Sequence, residues 1–507
     1  MRKALLVVAV GILAPRLASA ATINVTTADS FAKTESAKPG DEVVIAPVKY
    51  AFRVHLTQKA TPQQPIVIRA LDPKNPPVWD FGSTLVEDAP GSYTAGDRGR
   101  GCWQLSGATS IHISGIVFTN CRNAAKNSAG MRYYNGTQDI VVSDSVFRTN
   151  DNGLTGGTQS SEMTVLHSEF DRNGNLTAGA PTHNIYIYGG TFTMRYSYLH
   201  DPVQSQNFHV RAKDGTLEYN WIARAKSYEG DLMTDDDNPD TGPYAQKLLL
   251  RGNVIVQGAP QNTSQIVAVF NDSGAKQLTL ALRAIDNTFV VALANSNVVH
   301  LSNADGTTMA AEFSNNLVSN GKPVLIEDTG KGTASGTNNW FPTGTAVGTL
   351  ALSVFGSAPF KNAGAMDFTL AGGSNAIGAA GASVAGLPDR EYFQNETVAR
   401  MYRVRATAKD IGAFESTTTG AGIGPYDTQP PQADGGVPVT DGGSTADGSI
   451  PGTDSGATTD GGGPGADTGN DPGCGCHQAP SGSPLGGVLV GLGALAGVVR
   501  RRRRAET

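Results

Sequence analysis

The sequence predicts an all-β protein, a parallel β-helix in which every turn of a solenoid carries three short strands. Three observations predict it. Glycine is abundant, 62 of 507 residues, and charged residues make up only 17%, a balance that favours turn-rich β structure over helical bundles. The body shows no sustained 3.6-residue apolar period. A short strand motif also recurs along the chain: a small polar residue, a variable one, then a large apolar one.

The copies are Ser145–Phe147, Ser168–Phe170, Ser197–Leu199, Asn220–Ile222, Asn253–Ile255, Asn287–Phe289 and Asn315–Leu317, with Ile116–Phe118 as a weaker first member. Their apolar members at 118, 147, 170, 199, 222, 255, 289 and 317 are separated by steps of 29, 23, 29, 23, 33, 34 and 28. A minimum near 23 with variable insertions fits one solenoid turn, in which stacked apolar residues fill a continuous core and Ser or Asn stacks on its like. Propeller blades need about 40 residues or more, and a leucine-rich framework is missing.

In chain order, the first residues read MRKALLVVAVGILAPRLASA, a basic start, an apolar run and Ala-Ser-Ala; a secretory leader over residues 1–20 is expected. The solenoid is expected over 21–418. TINV opens it as a strand, a capping helix follows, and Pro-Gly-Asp leads into the strand EVVIAP. Cys102 and Cys121 are either bridged, as an exported protein allows, or two buried thiols. Residues 419–472 are Gly, Asp, Thr, Pro and Ser with almost nothing to bury, a disordered acidic linker. Residues 473–507 hold Cys474 and Cys476, an apolar run and Arg500–Arg504.

The segments Asp367–Gly381 and Lys409–Glu415 resemble the terminal segments of bacterial right-handed parallel β-helix proteins, and PGDEVVI resembles their opening. The resemblance covers roughly residues 22–416 and implies the right hand, but it spans many activities. The tail resembles the myxobacterial C-terminal sorting signal (MYXO-CTERM). That resemblance implies a C-terminal sorting helix, processing or attachment at Cys474 or Cys476, and display at the cell surface or outer membrane, possible release included.

The stretch from His183 to Asp237 concentrates the chemistry and holds three of the eight histidines. A step of 23 stacks Asn184 on Asn207, Tyr186 on His209 and Tyr188 on Arg211, with Ile185 and Ile187 over Phe208 and Val210. Strand side chains alternate faces, so the apolar pairs point inward and the polar ones out. One turn on, Glu229 and Asp231 are expected outward beside His209 and Arg211; upstream, Arg132 and Tyr134 share the alternation. Lys213 follows the basic strand. His200 precedes Asp201, which orients its ring or caps a turn. The acidic run Asp235, Asp236 and Asp237, with Asp231, suits calcium, a hard cation taking oxygen ligands.

The order HNIY, YLHD, a basic strand ending in Arg-Ala and then YExD resembles exported bacterial β-helix proteins grouped with pectate-lyase-like polysaccharide enzymes. His183, Asn184, Tyr186, His200, Arg211, Tyr228, Glu229 and Asp231 match, while His209 stands where lysine is commoner. The glycosidase branch is less well supported, because its paired Asp strands and Gly-His-Gly turn are not found. Two functions follow as expectations. One is a polysaccharide lyase cleaving a uronate polymer by β-elimination, with catalytic His209, Arg211, Tyr186 and His200, and with Asn184, Tyr188, Asn207, Lys213, Glu229 and Arg132 binding substrate. The other is a non-catalytic surface protein that binds polysaccharide; a passive coat protein would show no groove at all. The partner is a polysaccharide and the protein a monomer that meets a membrane only through its tail. A net charge of −6 and a body without basic clusters argue against nucleic acid.

Overall fold

The computed structural model describes residues 20–93, 99–234, 245–258, 264–271, 278–302, 307–326, 331–393 and 400–424. The expected tail, and nearly all of the leader and linker, lie outside these residues. No helix among the described residues is long and apolar enough to cross a membrane.

Short strands alternate among three parallel sheets, and each turn of the chain adds a strand to each. The first sheet runs from Thr22–Val25 to Gly332–Ser335, the second from Val54–Leu56 to Lys322–Ile326, and the third from Lys49–Tyr50 to Val354–Gly356. This is the expected parallel β-helix. Phe31–Glu35 is the α-helix expected near its start.

The core follows the apolar repeat. Phe118, Phe147, Phe170, Leu199, Ile222, Ile255, Phe289 and Val318 pair in register down the third sheet. Phe118 stacks on Phe147 at 4.8 Å and Phe147 on Phe170 at 4.7 Å. Each such buried ring contributes about 1.5–3 kcal/mol relative to an exposed one. The last member is Val318 rather than the expected Leu317, and Asn316 rather than Asn315 joins the polar stack. The reason is the corner between the first and third sheets, where one residue per turn adopts a left-handed backbone. Asp144, Tyr196, Asp286 and Asn315 all do so, with φ of 52°, 55°, 52° and 55°. Asn315 supplies that bend, so the ladder passes to Asn316.

At this corner Ser145, Ser168 and Ser197 accept backbone N–H groups from the preceding turn, and Asn220, Asn253, Asn287, Asn316 and Asn339 bond side chain to side chain. A second ladder lines the corner between the third and second sheets: Asn150 donates to Asn173, Asn173 to Asn184, Asn184 to Asn207, and Asn207 to Glu229.

Cys102 and Cys121 form a disulfide. Beyond the last turn the chain folds back over the solenoid, where Phe368, Tyr392 and Phe414 cover Tyr198, Trp221 and Val254. Within the segment Lys409–Glu415, Glu415 accepts from Arg405 at 3.1 Å and from the backbone of Lys409 and Asp410.

Candidate functional site

Successive strands of the second sheet, Ile185–Tyr188, Phe208–Arg211 and Gly230–Met233, carry the site. Their registers are Tyr186 beside His209 beside Asp231, and Tyr188 beside Arg211. Ile185, Ile187, Phe208, Val210 and Leu232 fill the core beneath. Gly230 separates two carboxylates and faces the Phe208 ring; a Cβ there would lie 2.2 Å from ring carbons. Only glycine lets this strand approach and hold Asp231 against His209.

On the outer side one hydrogen-bonded line runs across two rungs. Nδ1 of His209 lies 2.9 and 3.0 Å from the two oxygens of Asp231, and its Nε2 accepts from Nε of Arg211 at 3.0 Å. Arg211 also donates to the carbonyl of Thr234 at 2.9 Å. A guanidinium cannot accept, so the His209 proton sits on Nδ1 and points at Asp231. Tyr228 and Gln206 donate to the same carboxylate at 3.1 and 3.4 Å. Tyr186 packs edge-on to His209 at 4.6 Å and touches Tyr188 at 5.5 Å. His183 stacks on His209 at 4.8 Å with ring planes 10° apart. His209, Arg211 and Asp231 are buried and Tyr188 is half-buried. Burial pushes Asp231 up to about 7, against opposing pulls from His183 and Arg211. Burial, then the neighbouring His209, holds His183 well below the ordinary imidazole range.

Other expected site residues lie elsewhere. Asn184 and Asn207 do not face a ligand: their amides are spent within the second ladder and on the carbonyls of His200 and Ala223. Glu229 terminates that ladder, fully buried, and also accepts the N–H groups of Ala225 and Gly258. A carboxylate so occupied holds a corner together rather than meeting a sugar. His200 belongs to the third sheet, not the second, at the end of Tyr198–His200. Its ring stacks on Tyr198 at 3.8 Å and meets Asp201 at 2.9 Å and Glu169 at 3.3 Å. Those carboxylates outweigh burial and raise its affinity for a proton. Arg132 is two rungs above Tyr186 in the same column, half-buried, over the Tyr134 ring at 4.8 Å. Lys213 is exposed in the turn after Arg211. Sequence reasoning left Gln206 unassigned and gave Tyr228 and His183 no role; Tyr228 and His183 were in view as motif members, whereas nothing marked Gln206.

Asp235, Asp236 and Asp237 lie outside the described residues. Asp231 is placed as the partner of His209, Tyr228 and Gln206, fully buried between them. Among the described residues, Glu169, Asp171 and His200 bring ligand atoms within 4.8 Å of one another. Arg172 pairs with Asp171, and Arg224 with Asp201 beside the set, so a guanidinium already holds one of its two carboxylates. With a nitrogen donor and few unclaimed oxygens, it does not suit calcium.

No family model and no curated protein matches the sequence. Solved structures similar to it include an alginate lyase from Paenibacillus sp. str. FPU-7, at 16% identity and a TM-score of 0.43, covering 62% of this chain and 97% of that one. Pectate lyase Pel9A aligns at 12% identity and a TM-score of 0.46, over 78% and 95% of the two chains. A rhamnogalacturonan lyase aligns at 13% and 0.43, over 63% and 87%. Identities this low carry no residue roles across, so the chemistry rests on this chain's own geometry.

That geometry joins a buried carboxylate, an imidazole and a guanidinium in one line, with the buried Tyr186 ring against His209 and the half-buried Tyr188 beside Arg211. Such a line can move a proton at His209 and can bind an anion at Arg211.

Proposed function

We propose that the protein acts on a uronate-containing polysaccharide by β-elimination, at the outer face of the second sheet. The observation that supports this reading is the line from Asp231 through His209 to Arg211 beside Tyr186 and Tyr188. A guanidinium matches a carboxylate bidentately. By turning from His209 to the sugar carboxylate, Arg211 neutralises it, acidifies the adjacent C–H and uncovers the Nε2 lone pair of His209. His209 takes that proton. The C–O bond to the neighbouring sugar breaks, its oxygen takes a proton from Tyr188, and a C=C bond remains in the new terminal uronate. Asp231 accepts the Nδ1–H and stabilises the imidazolium. Each positioned acid or base contributes about 10²–10⁴ in rate.

The second reading, a non-catalytic polysaccharide binder, is favoured by one feature: both ring nitrogens of His209 are engaged and Arg211 is buried beside it. Export is proposed in either case, and the Cys102–Cys121 bridge supports an oxidising compartment. Surface display through the Cys474–Cys476 tail, a monomeric state and any use of calcium by Asp235–Asp237 remain parts of the proposal.

The test is ultraviolet absorbance of unsaturated product when purified protein meets galacturonate, mannuronate and guluronate polymers, with calcium and with chelator. A rise that is lost in His209→Ala and Arg211→Ala supports elimination. Loss on chelation alone moves the weight to the acidic run. A flat trace with retained binding selects the binder.

A further inference from the structure

Two cations that solvent reaches stand along the second sheet, outside the buried line. Arg132, half-buried, lies in Ala129–Tyr134, and its guanidinium leans over the Tyr134 ring at 4.8 Å. Lys213 is exposed at the sheet's edge, in the turn that follows Phe208–Arg211; the next residue, Asp214, already belongs to the first sheet. Between those two strands come Asn152–Gly156 and Ile185–Tyr188. Tyr133, Gly156, Ile187 and Val210 pair in register, so the residues that follow them, Tyr134, Gly157, Tyr188 and Arg211, form one line across four strands.

Gly157 keeps the middle of that line bare. A Cβ there would lie 1.6 Å from the carbonyl oxygen of Tyr188, so no side chain stands between the two phenol rings. The strip offers, in order, the Arg132 cation with the Tyr134 ring, bare backbone, the half-buried Tyr188 ring and the Lys213 cation. Neighbouring strands are about 4.8 Å apart, so three steps set the strands that carry the cations about 14 Å apart. A pyranose unit of an extended polysaccharide advances by about one strand spacing. A chain laid across the strands therefore meets the two cations with units three apart. Arg grips a carboxylate bidentately and Lys meets it as a point charge.

We infer that Arg132 and Lys213 bind two carboxylates of one chain, three sugar units apart, which selects polymers that carry a carboxylate on every unit. The inference rests on the uronate reading above and deepens it. Three is odd. In a chain where acidic and neutral sugars strictly alternate, units three apart are always unlike, and one cation goes unmatched. A homopolymer of uronates matches both, and the shortest chain that does so has four units.

The test measures dissociation constants of the full chain for galacturonate, mannuronate and guluronate oligomers of two to six units, and for oligomers in which galacturonate alternates with rhamnose. For the uronate that binds, affinity steps up by about two- to fivefold between three units and four, the worth of one more exposed charge pair. Raised salt shrinks the step. Arg132→Gln and Lys213→Gln each remove it, and lose little on the alternating oligomer, which engages one cation at a time. Lys213 is exposed, so its variant keeps the test decisive even where Arg132→Gln fails to fold. A smooth rise through four units overturns the inference, as does a Lys213→Gln protein that keeps the step. So does an alternating oligomer bound as tightly as a homopolymer of equal length. If uronates bind and Arg211→Ala abolishes that binding, but no step appears at four units, the uronate reading stands and this inference falls. Wild type that binds none of the uronates sinks both.

Discussion

Arg211 spends its Nε–H on an imidazole rather than a carboxylate: it donates to Nε2 of His209 at 3.0 Å while the carboxylate of Asp231 takes the other side of the same ring. A cation is thus held one ring away from its counter-ion. The arrangement engages both ring nitrogens of His209; in the proposed reaction a sugar carboxylate draws Arg211 away from it.

Arg211→Ala is therefore expected to cost stability as well as binding. It removes the donors to His209 and to the Thr234 carbonyl and leaves buried acceptors unmade, a loss of about 2–4 kcal/mol. Arg211→Lys recovers little, because a point charge cannot serve both acceptors in the fixed fork of a guanidinium. Urea unfolding of the two variants, set beside uronate binding, checks this; a Lys variant with wild-type stability and affinity would falsify it.

The pH dependence of stability should carry the signature of Asp231. Its carboxyl is raised from 3.8 in the unfolded chain to about 7 in the folded one, chiefly by burial. Between those values the folded state binds more protons than the unfolded state, so this group lowers stability as pH rises through that window. Asp231→Asn, which cannot titrate, should show a shallower fall between 3.8 and about 7 than wild type. Equal slopes in denaturant midpoints measured across that range would rule the assignment out.

Much of the solenoid was legible because its geometry is periodic. The 23-residue step between Leu199 and Ile222 admits no insertion, and every pairing read from it, Ile185 on Phe208 through Tyr188 on Arg211, is found. Where two asparagines adjoin at 315 and 316, either fits the ladder, and only the left-handed bend at the first decides the register. The second ladder escaped notice for a related reason. Its members Asn150, Asn173, Asn184 and Asn207 step by 23, 11 and 23, and the short middle step breaks the period. Burial of the core ladder was legible; that of the outward-facing rungs was not. An outward-facing rung is exposed or covered according to what lies over it, so Glu229 read as a ligand group although it closes a corner.

Removing the disulfide should destabilise without touching the site. Cys102 and Cys121 enclose a loop of sequence separation 19, for which the chain-entropy account gives about 3 kcal/mol. Cys121→Ser should lower the melting temperature, and a reductant should do the same to wild type but nothing further to the variant. Uronate binding below the transition should be unchanged, since the bridge stands away from the second-sheet line.

The ladder makes the sharpest distinction between a structural and a binding role. Asn207 donates to the buried Glu229 carboxylate at 2.8 Å and accepts from Asn184 at 2.7 Å, while its amide also reaches the Ala223 carbonyl. Asn207→Ala removes a donor to a buried charge, at a cost of about 2–4 kcal/mol. Asn207→Asp is worse, because it sets a second carboxylate against Glu229 in a dry corner. A substrate-binding asparagine would behave in the opposite way, weakening affinity with stability nearly intact. Thermal melts and uronate titrations on the two variants separate the cases: the ladder predicts melting temperatures ordered wild type, Ala, Asp, with the affinity of the remaining folded protein close to wild type. A normal melt with lost affinity in Asn207→Ala would return this residue to the binding face.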